Sequence, residues 1–229
     1  MPITVEPSEP RICHDERFLN LWIRDLPFLL DYITSLPRYI FKSHYQTTFD
    51  NKSGYDHILY PQRVLPLWDS NGKGGTSVIK PYPFGWKACA YIYHTDGLAA
   101  TNYIRLLGVP CSQYIDDRHV GQVALRRDIK KSCEWPNFAL AEAAAFIVCS
   151  VLVSLGDFIS LSKSVAAPQT RIRFLALLSD SVLQAFIIPE DKNAKFATLC
   201  VFILQNHTGH TVYNKHVKHR IHIFGITSM

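Results

Sequence analysis

The order of apolar and polar residues predicts strands that alternate with helices. Residues 45–60, YQTTFDNKSGYDHILY, predict a strand that ends at Asp50, followed by a turn over residues 51–54. Helical spacing runs over residues 86–108, and the glycine at its end predicts the helix stop. The apolar run VPCSQYIDD follows and predicts a hairpin that ends in two aspartates.

The second half of the chain continues this alternation. An alanine-rich helix is predicted over residues 138–155, then one strand each in DFISLSKS and RFLALLSDS, and a helix after Pro189. Residues 10–20 predict a half-exposed strand and turn, whereas residues 61–81 read as a long loop. The fold class predicted is α+β, with helices on one face of a sheet.

The helix predicted over residues 138–155 has two interpretations. It is about long enough to cross a bilayer, which would make the chain a membrane-anchored protein. It also carries Glu142, is rich in alanine and has polar flanks, which favours a buried amphipathic helix and no membrane. The first ten residues contain no apolar signal-peptide core, and the six cysteines are scattered without metal-binding spacing. We therefore expect reduced thiols and an intracellular location.

The formal net charge is +5 and the pI is about 8.9. This mild basic excess is compatible with a nucleic-acid partner, but many proteins without one share it.

The adjacent residues Asp116 and Asp117 raise a chemical question. Two like charges at the end of an apolar hairpin repel each other, so they indicate either a solvated turn or a metal site. Asp50 ends a predicted strand 66 residues earlier, which leaves room for a helical crossover between neighbouring strands. Two-metal nucleotidyl transfer requires carboxylates from separate strands to meet at one point, and these three residues could meet that requirement.

The chain resembles the palm and part of the fingers of a retroelement reverse transcriptase, with six motifs in the family's order over most of residues 10–195. PRICHDERFLN resembles the fingers hairpin, in which Arg11 would hold the incoming triphosphate. FDNKSGY resembles the first palm motif, with Asp50 as a metal ligand and Tyr55 as the aromatic gate against a ribose 2′-hydroxyl. PFGWKA resembles the segment that contacts nucleotide and template, which implicates Phe84 and Gly85.

The remaining motifs complete the resemblance. YIDD resembles the catalytic Y-x-D-D turn, which implies Asp116 and Asp117 as metal ligands. LGDFISLSKS resembles the next motif, whose lysine, Lys163 here, would donate a proton to pyrophosphate. RFLALLSDS resembles the primer-grip hairpin, with Phe174 and Leu175 as its contact residues. The residues of YIDDRH and LGDFISLSKS resemble those of DIRS-type or related elements.

The resemblance implies a polymerase palm with partial fingers that carries out RNA-directed DNA synthesis. Residues 1–49 would form partial fingers, residues 50–180 the palm, and residues 181–229 a thumb or connection stub. The cofactor would be two Mg²⁺ or Mn²⁺ ions held by the three aspartates, and the partners would be dNTP and a primed RNA or DNA template. An RNA-templated RNA polymerase shares this logic, but Tyr55 at the sugar gate favours deoxynucleotides.

Several departures from the family pattern suggest a decayed element copy. DSNGKGGT, residues 69–76, can be back-translated so that a shifted frame reads Phe-Lys-Trp-Lys-Gly-Trp-Tyr, the aromatic alternation expected there. Residues 61–81 and the C-terminal tail are therefore interpreted as out of frame. Glu9, Asp157 and Ala176 stand where a lysine, an aromatic residue and a glycine are expected. The alternative function is a catalytically inactive remnant with at most weak nucleic-acid binding.

Overall fold

The computed structural model describes residues 5–6, 9–10, 17–52, 54–57, 85–124 and 136–205. Arg11, Phe84, the segment 61–81 and the C-terminal tail lie outside these ranges. The described strands are β1 Val5–Glu6, β2 Glu9–Pro10, β3 Gln46–Asp50, β4 Cys111–Tyr114, β5 Asp117–Val120, β6 Val165–Gln169, β7 Arg171–Phe174, β8 Leu177–Asp180 and β9 Ala185–Ile187. The α-helices are α1 Arg17–Trp22, α2 Cys89–Leu106, α3 Asn137–Ser154 and α4 Glu190–Gln205, and 3₁₀ helices span Ile33–Arg38 and Gly54–His57.

Four antiparallel strands form the main sheet, in the order β4-β5-β3-β6. Its two central strands are β3, which ends at Asp50 as predicted, and β5, which begins at Asp117 after the turn of the predicted hairpin. They are paired directly, with Thr48 opposite His119 and Asp50 opposite Asp117. The α+β class predicted from the sequence is confirmed.

Helices α2 and α3 cover one face of this sheet. Phe49 of β3, Cys111 of β4 and Val120 of β5 pack with Ile104 of α2 and Leu152 of α3 in one apolar core. Because side chains alternate along a strand, the neighbours of Phe49 point to the opposite face. The sequence prediction of helices on one face is confirmed.

The opposite face is covered by a second, three-stranded sheet, β7-β8-β9, and by the 3₁₀ helix Ile33–Arg38. Gln46 of β3 joins the two sheets, because its Oε1 accepts hydrogen bonds from Ser179 Oγ at 2.8 Å and from His119 Nε2 at 2.9 Å. A small apolar cluster of Leu36, Ile40 and Phe174 completes this layer.

Three predicted elements differ in the structure. Within residues 157–164, Ile159 forms an isolated β-bridge with Asn51 and turns follow. The strand begins only at Val165. The hydroxyl of Ser164 accepts a hydrogen bond from the backbone N–H of Asp50, so a side chain replaces a ladder bond there. Residues 173–181 form a hairpin of two strands, and residues 17–20 of the predicted strand and turn are helical.

The helix α3 has the length and composition of a membrane span, with mean hydropathy 1.8, and a third of it is buried in the structure. Its buried side chains, which include Ala144, Val148 and Leu152, pack in the main core. Phe146 and Val153 are exposed, so the helix has one buried face but its other face is not uniformly polar. Length and composition alone do not separate a core helix from a membrane span.

Candidate metal and nucleotide site

Three aspartates come together at one end of the central strand pair. Asp50 and Asp117 are direct cross-strand partners, which places their Cβ atoms about 4.5–5.5 Å apart on the same face of the sheet. Asp116 lies in the turn that precedes β5, and its carbonyl oxygen accepts a hydrogen bond of 3.4 Å from the backbone N–H of Asn51. The strand register therefore pairs Asp50 with Asp117, and a backbone hydrogen bond joins the turn that carries Asp116 to the end of β3.

The turn that carries Asp116 has an uncommon backbone. Ile115 has φ +55°, a left-handed conformation that β-branched residues rarely adopt. The side-chain amide of Gln113 donates a 3.0 Å hydrogen bond to the carbonyl oxygen of Ile115. Surrounding structure thus holds this turn in a conformation that the local sequence disfavours.

The segment after α3 fixes Asp50 from the other side. Ser160 N–H donates to the carbonyl oxygen of Asp50 at 2.8 Å, and Asp50 N–H donates to Ser164 Oγ at 3.0 Å. Lys163 lies within the turn between these two serines and is exposed. Its positive charge acts to lower the pKa of Asp117, against the larger effects of burial and of the neighbouring aspartates, and its role as a proton donor stays a prediction.

The electrostatics of the cluster are unfavourable for three bare carboxylates. The pKa of Asp117 is raised to about 6, first by burial and then by the charges of Asp116 and Asp50, whereas the charge of Lys163 opposes these effects. A divalent cation with a preference for oxygen ligands would relieve this repulsion. Among the described residues, however, no three His, Cys, Asp or Glu side chains converge on one point. The ligand chemistry therefore fits Mg²⁺ or Mn²⁺, while the side chains do not form a closed coordination shell.

Tyr55 lies beside this cluster. Its ring packs against that of Tyr93 in α2, with 4.7 Å between ring centroids. Burial is the main cause of the raised pKa of Tyr55, followed by Cys89 and the charge of Asp116. Tyr55 is thus half-buried beside Tyr93 of α2, with Asp116 near enough to affect its pKa, and its role as a sugar gate stays a prediction.

Gly85 occupies a turn that leads into α2. Its φ of +102° lies in the region that favours glycine. The side chain of Asn20 in α1 binds both sides of this turn, because its Nδ2 donates to Gly85 O at 2.7 Å and its Oδ1 accepts from Lys87 N–H at 2.8 Å. Arg11 and Phe84, the other predicted nucleotide contacts, lie outside the described residues.

Phe174 and Leu175 lie on the β7–β8 hairpin. Phe174 is buried in the cluster with Leu36 and Ile40, and its ring centroid is 5.1 Å from that of His119. Leu175 lies in the turn and packs against the same cluster, as does Tyr114 of β4. The Phe174 side chain therefore anchors the hairpin in the interior, and the assignment of Phe174 and Leu175 to a primer grip stays a prediction.

The sequence interpretation missed a set of polar residues on the helix-covered face. Arg118, 1% exposed, donates from Nη1 to Asn51 Oδ1 at 2.8 Å, and Asn51 Nδ2 donates to the Tyr93 hydroxyl at 3.1 Å. Thr101 Oγ donates to Gln113 Oε1 at 2.7 Å. The sequence contained a signal for this burial. Arg118 directly follows Asp117 in a strand, and because side chains alternate, it must point to the face opposite Asp117, which is the face covered by the helices.

Neither a protein-family model nor a curated protein matches this sequence. Solved structures do match. The foamy viral protease-reverse transcriptase dRH in complex with dsDNA superposes with a TM-score of 0.63 and 16% identity over 91% of this chain. The foamy viral protease-reverse transcriptase in complex with an RNA/DNA hybrid superposes with a TM-score of 0.61 and 15% identity, again over 91% of this chain. The chain has a reverse-transcriptase-like fold.

The prototype foamy virus protease-reverse transcriptase in its native crystal structure gives a TM-score of 0.52 with 18% identity over 75% of this chain. The matched region covers 32%, 24% and 21% of these three foamy viral chains, so this chain spans about a third of their length or less. At such low identity the likeness shows the fold, and the site must be judged from its own residues.

Proposed function

We propose that this chain is the RNA-directed DNA polymerase domain of a retrotransposon, of DIRS type or a related type. One observation carries the proposal: Asp50 is the cross-strand partner of Asp117, with Asp116 in the adjoining turn, within a reverse-transcriptase-like fold. The reaction is transfer of a nucleotide from dNTP to a primer 3′-hydroxyl. The bond between the 3′-oxygen and the α-phosphorus forms while the bond to pyrophosphate breaks.

Each site residue has a role in this reaction. Asp50, Asp116 and Asp117 would hold two Mg²⁺ or Mn²⁺ ions, which when bound supply activation of the hydroxyl and stabilisation of the leaving pyrophosphate. Lys163 is exposed, its charge acts against the raised pKa of Asp117, and it would donate a proton to an oxygen of the departing pyrophosphate. The Tyr55 ring, supported by Tyr93, would exclude a 2′-hydroxyl.

Other parts of the chain would hold the substrates. Gly85 allows the backbone to approach the nucleotide, and Arg11 and Phe84 are assigned to the same substrate by the resemblance alone. The β7–β8 hairpin, with Phe174 and Leu175, would contact the primer. The basic net charge of +5 suits a primed RNA or DNA template, and binding should weaken as salt increases.

Primer extension tests the proposal. Purified chain, a primed RNA template, dNTP and Mg²⁺ or Mn²⁺ should give products that EDTA prevents. We expect Asp116→Asn to reduce the rate by more than about 100-fold, since even loss of a group behind a metal ligand costs about 10–100-fold. Glu142→Gln, on the exposed face of α3, is the matched control and should retain the wild-type rate.

The second candidate is a catalytically inactive remnant. It is favoured by the lack of three converging ligand side chains among the described residues and by Ala176 at φ +73°, where the family pattern has glycine. A remnant would bind primed template weakly, with no extension under either metal. Binding without extension by the wild type would therefore reject the polymerase proposal.

A further inference from the structure

A buried polar network lies on the opposite face of the main sheet from the three aspartates. We use this term for the five residues Asn51, Tyr93, Thr101, Gln113 and Arg118. Arg118 donates to Asn51 Oδ1 at 2.8 Å and lies 3.4 Å, Nε to Oγ1, from Thr101. Among the described residues no ion pair includes Arg118, so neutral oxygen atoms receive this buried cation's hydrogen bonds. Such burial of charge is unfavourable unless the hydrogen bonds are well placed.

The network holds both segments that carry the acids. Asn51 directly follows Asp50, and its backbone N–H donates to the carbonyl oxygen of Asp116. Gln113 holds the turn that carries Asp116, because its side-chain Nε2 donates a hydrogen bond of 3.0 Å to the backbone carbonyl oxygen of Ile115. The relative position of the two acidic segments therefore depends on side chains beneath the sheet.

The two anchors are connected through helix α2. Thr101 Oγ1 donates to the side-chain Oε1 of Gln113 at 2.7 Å and accepts a hydrogen bond of 3.4 Å from Arg118 Nε. Tyr93 accepts from Asn51 at 3.1 Å through its hydroxyl, while its ring packs against Tyr55. One helix thus contacts both acidic segments and the proposed sugar gate.

Gly97 shows that the helix is shaped around the network. A Cβ at this position of α2 would collide with the amide nitrogen of Gln113 and would lie 3.1 Å from Arg118 Nη2. Glycine is unfavourable in the middle of a helix, so its presence here is explained by the space these side chains need. Next to the network is a cavity of about 340 Å³, lined by Asn51, Tyr93 and Arg118 among others. Water can enter such a polar cavity, so truncated variants need not leave a sealed void.

We propose that Asn51, Arg118 and Tyr93 are positioning residues that set metal affinity and sugar selectivity from behind the sheet. Asn51 and Arg118 fix Asp50 against the segment that carries Asp116, and Tyr93 fixes the ring of Tyr55. This inference rests on the proposed polymerase function, but its first consequence concerns metal binding by the chain itself.

The experiment uses the whole chain and four variants, three of them in the first measurement. Mn²⁺ affinity is measured without nucleotide by electron paramagnetic resonance of the free ion, for wild type, Asn51→Leu and Arg118→Met. We expect the dissociation constant to rise by about 10-fold or more in both variants, as when the support of a metal ligand is removed. Val148→Ala, which truncates a core residue of α3 away from the network, is the control for simple loss of stability and should leave the constant unchanged.

Single-nucleotide addition gives the second measurement. Tyr93→Phe removes the hydroxyl that Asn51 binds, so we expect the preference for dNTP over rNTP, as a ratio of kcat/KM, to fall several-fold. Asn51→Leu should lower kcat more than it raises KM. A purely structural role would change none of these ratios.

The outcomes separate the two proposals. If the wild type binds Mn²⁺ and Asn51→Leu weakens binding, but no primer is extended, the polymerase function fails and the positioning of the metal site is retained. If primers are extended but Asn51→Leu and Arg118→Met bind Mn²⁺ within twofold of wild type, the positioning proposal is overturned. It is also overturned if the wild type binds no Mn²⁺, or if Val148→Ala weakens binding equally.

Discussion

Asp117 is destabilising in the metal-free protein. Its pKa is raised to about 6 by burial and by the neighbouring aspartates, whereas in the unfolded chain it is about 3.8. Between these values the folded protein retains a proton that the unfolded chain loses, so stability falls as pH rises from about 4 to about 6. Above pH 6 the carboxylate is charged in both states and the full cost is present.

We therefore expect Asp117→Asn to stabilise the metal-free protein at pH 7. The gain should be on the order of 1 kcal/mol once solvent screening is allowed for, and it should nearly vanish at pH 4. Thermal unfolding in EDTA at the two pH values measures it. Glu142→Gln, exposed on α3, should show no such difference, and an equal gain at both pH values would contradict the electrostatic explanation.

The aspartates and the network beneath them differ in how far the sequence could predict them. Asp50, Asp116 and Asp117 stand at strand ends in a recognisable order, so their approach follows from pairing two strands. Arg118 and Asn51 could be assigned to the helix face by alternation alone. Their partners Tyr93 and Thr101 could not, because those contacts depend on the rotation of α2 about its axis.

At the scale of elements, the β7–β8 hairpin shows why the apolar pattern predicted one strand where two exist, although the resemblance implied a hairpin. Leu175 and Ala176 form its turn with φ values of +44° and +73°, which glycine or asparagine would adopt more readily. Without either residue the sequence gives no turn signal. The turn is held instead by packing of Leu175 and Phe174 against the cluster with Leu36 and Ile40.

Replacing Ala176 with glycine should stabilise the chain. The substitution removes a left-handed conformation of an L-residue, which costs about 1–2 kcal/mol, and this gain exceeds the added flexibility of glycine in the unfolded chain, about 0.5–1 kcal/mol. We expect a net gain of up to about 1 kcal/mol in urea unfolding. Ala167→Gly, at an exposed position of β6 without positive φ, should instead destabilise by about 0.5–1 kcal/mol. A loss of stability in Ala176→Gly would show that the turn is not strained.

At the scale of the whole molecule, the sequence predicted the helix layer on one face of the main sheet better than the small sheet on the other face. The apolar periodicity of residues 86–108 and 138–155 was sufficient to place two helices against a sheet, and both pack there. The second face is held by polar contacts such as Gln46 to Ser179. Such contacts join residues that are far apart in the chain and have no periodic pattern, so the docking of the small sheet could not be predicted.

Two buried histidines lie in this assembly, one on each side of the main sheet. Burial lowers the pKa of His119 to about 3 and also lowers that of His94, although the carbonyl of Leu29 and the charge of Asp31 act to raise the latter. His94 packs against Phe28 on the side of α2, and His119 hydrogen-bonds to Gln46 beneath the small sheet. Both rings are therefore neutral in the folded protein near neutral pH.

The chain should accordingly lose stability on mild acidification. Below about pH 6.5 the unfolded chain gains more protons on these histidines than the folded protein does, so stability falls as the pH falls. From pH 7 to pH 5.5 the loss should be on the order of 1 kcal/mol for His119, and His94 should change stability in the same direction, both measured by urea unfolding. The Asp117→Asn background should be used, because Asp117 changes stability in the opposite direction in this interval.

Replacing either histidine with glutamine should remove its share of the pH dependence, whatever the substitution does to stability at pH 7. An unchanged dependence in both variants would mean that the two rings titrate in the folded state.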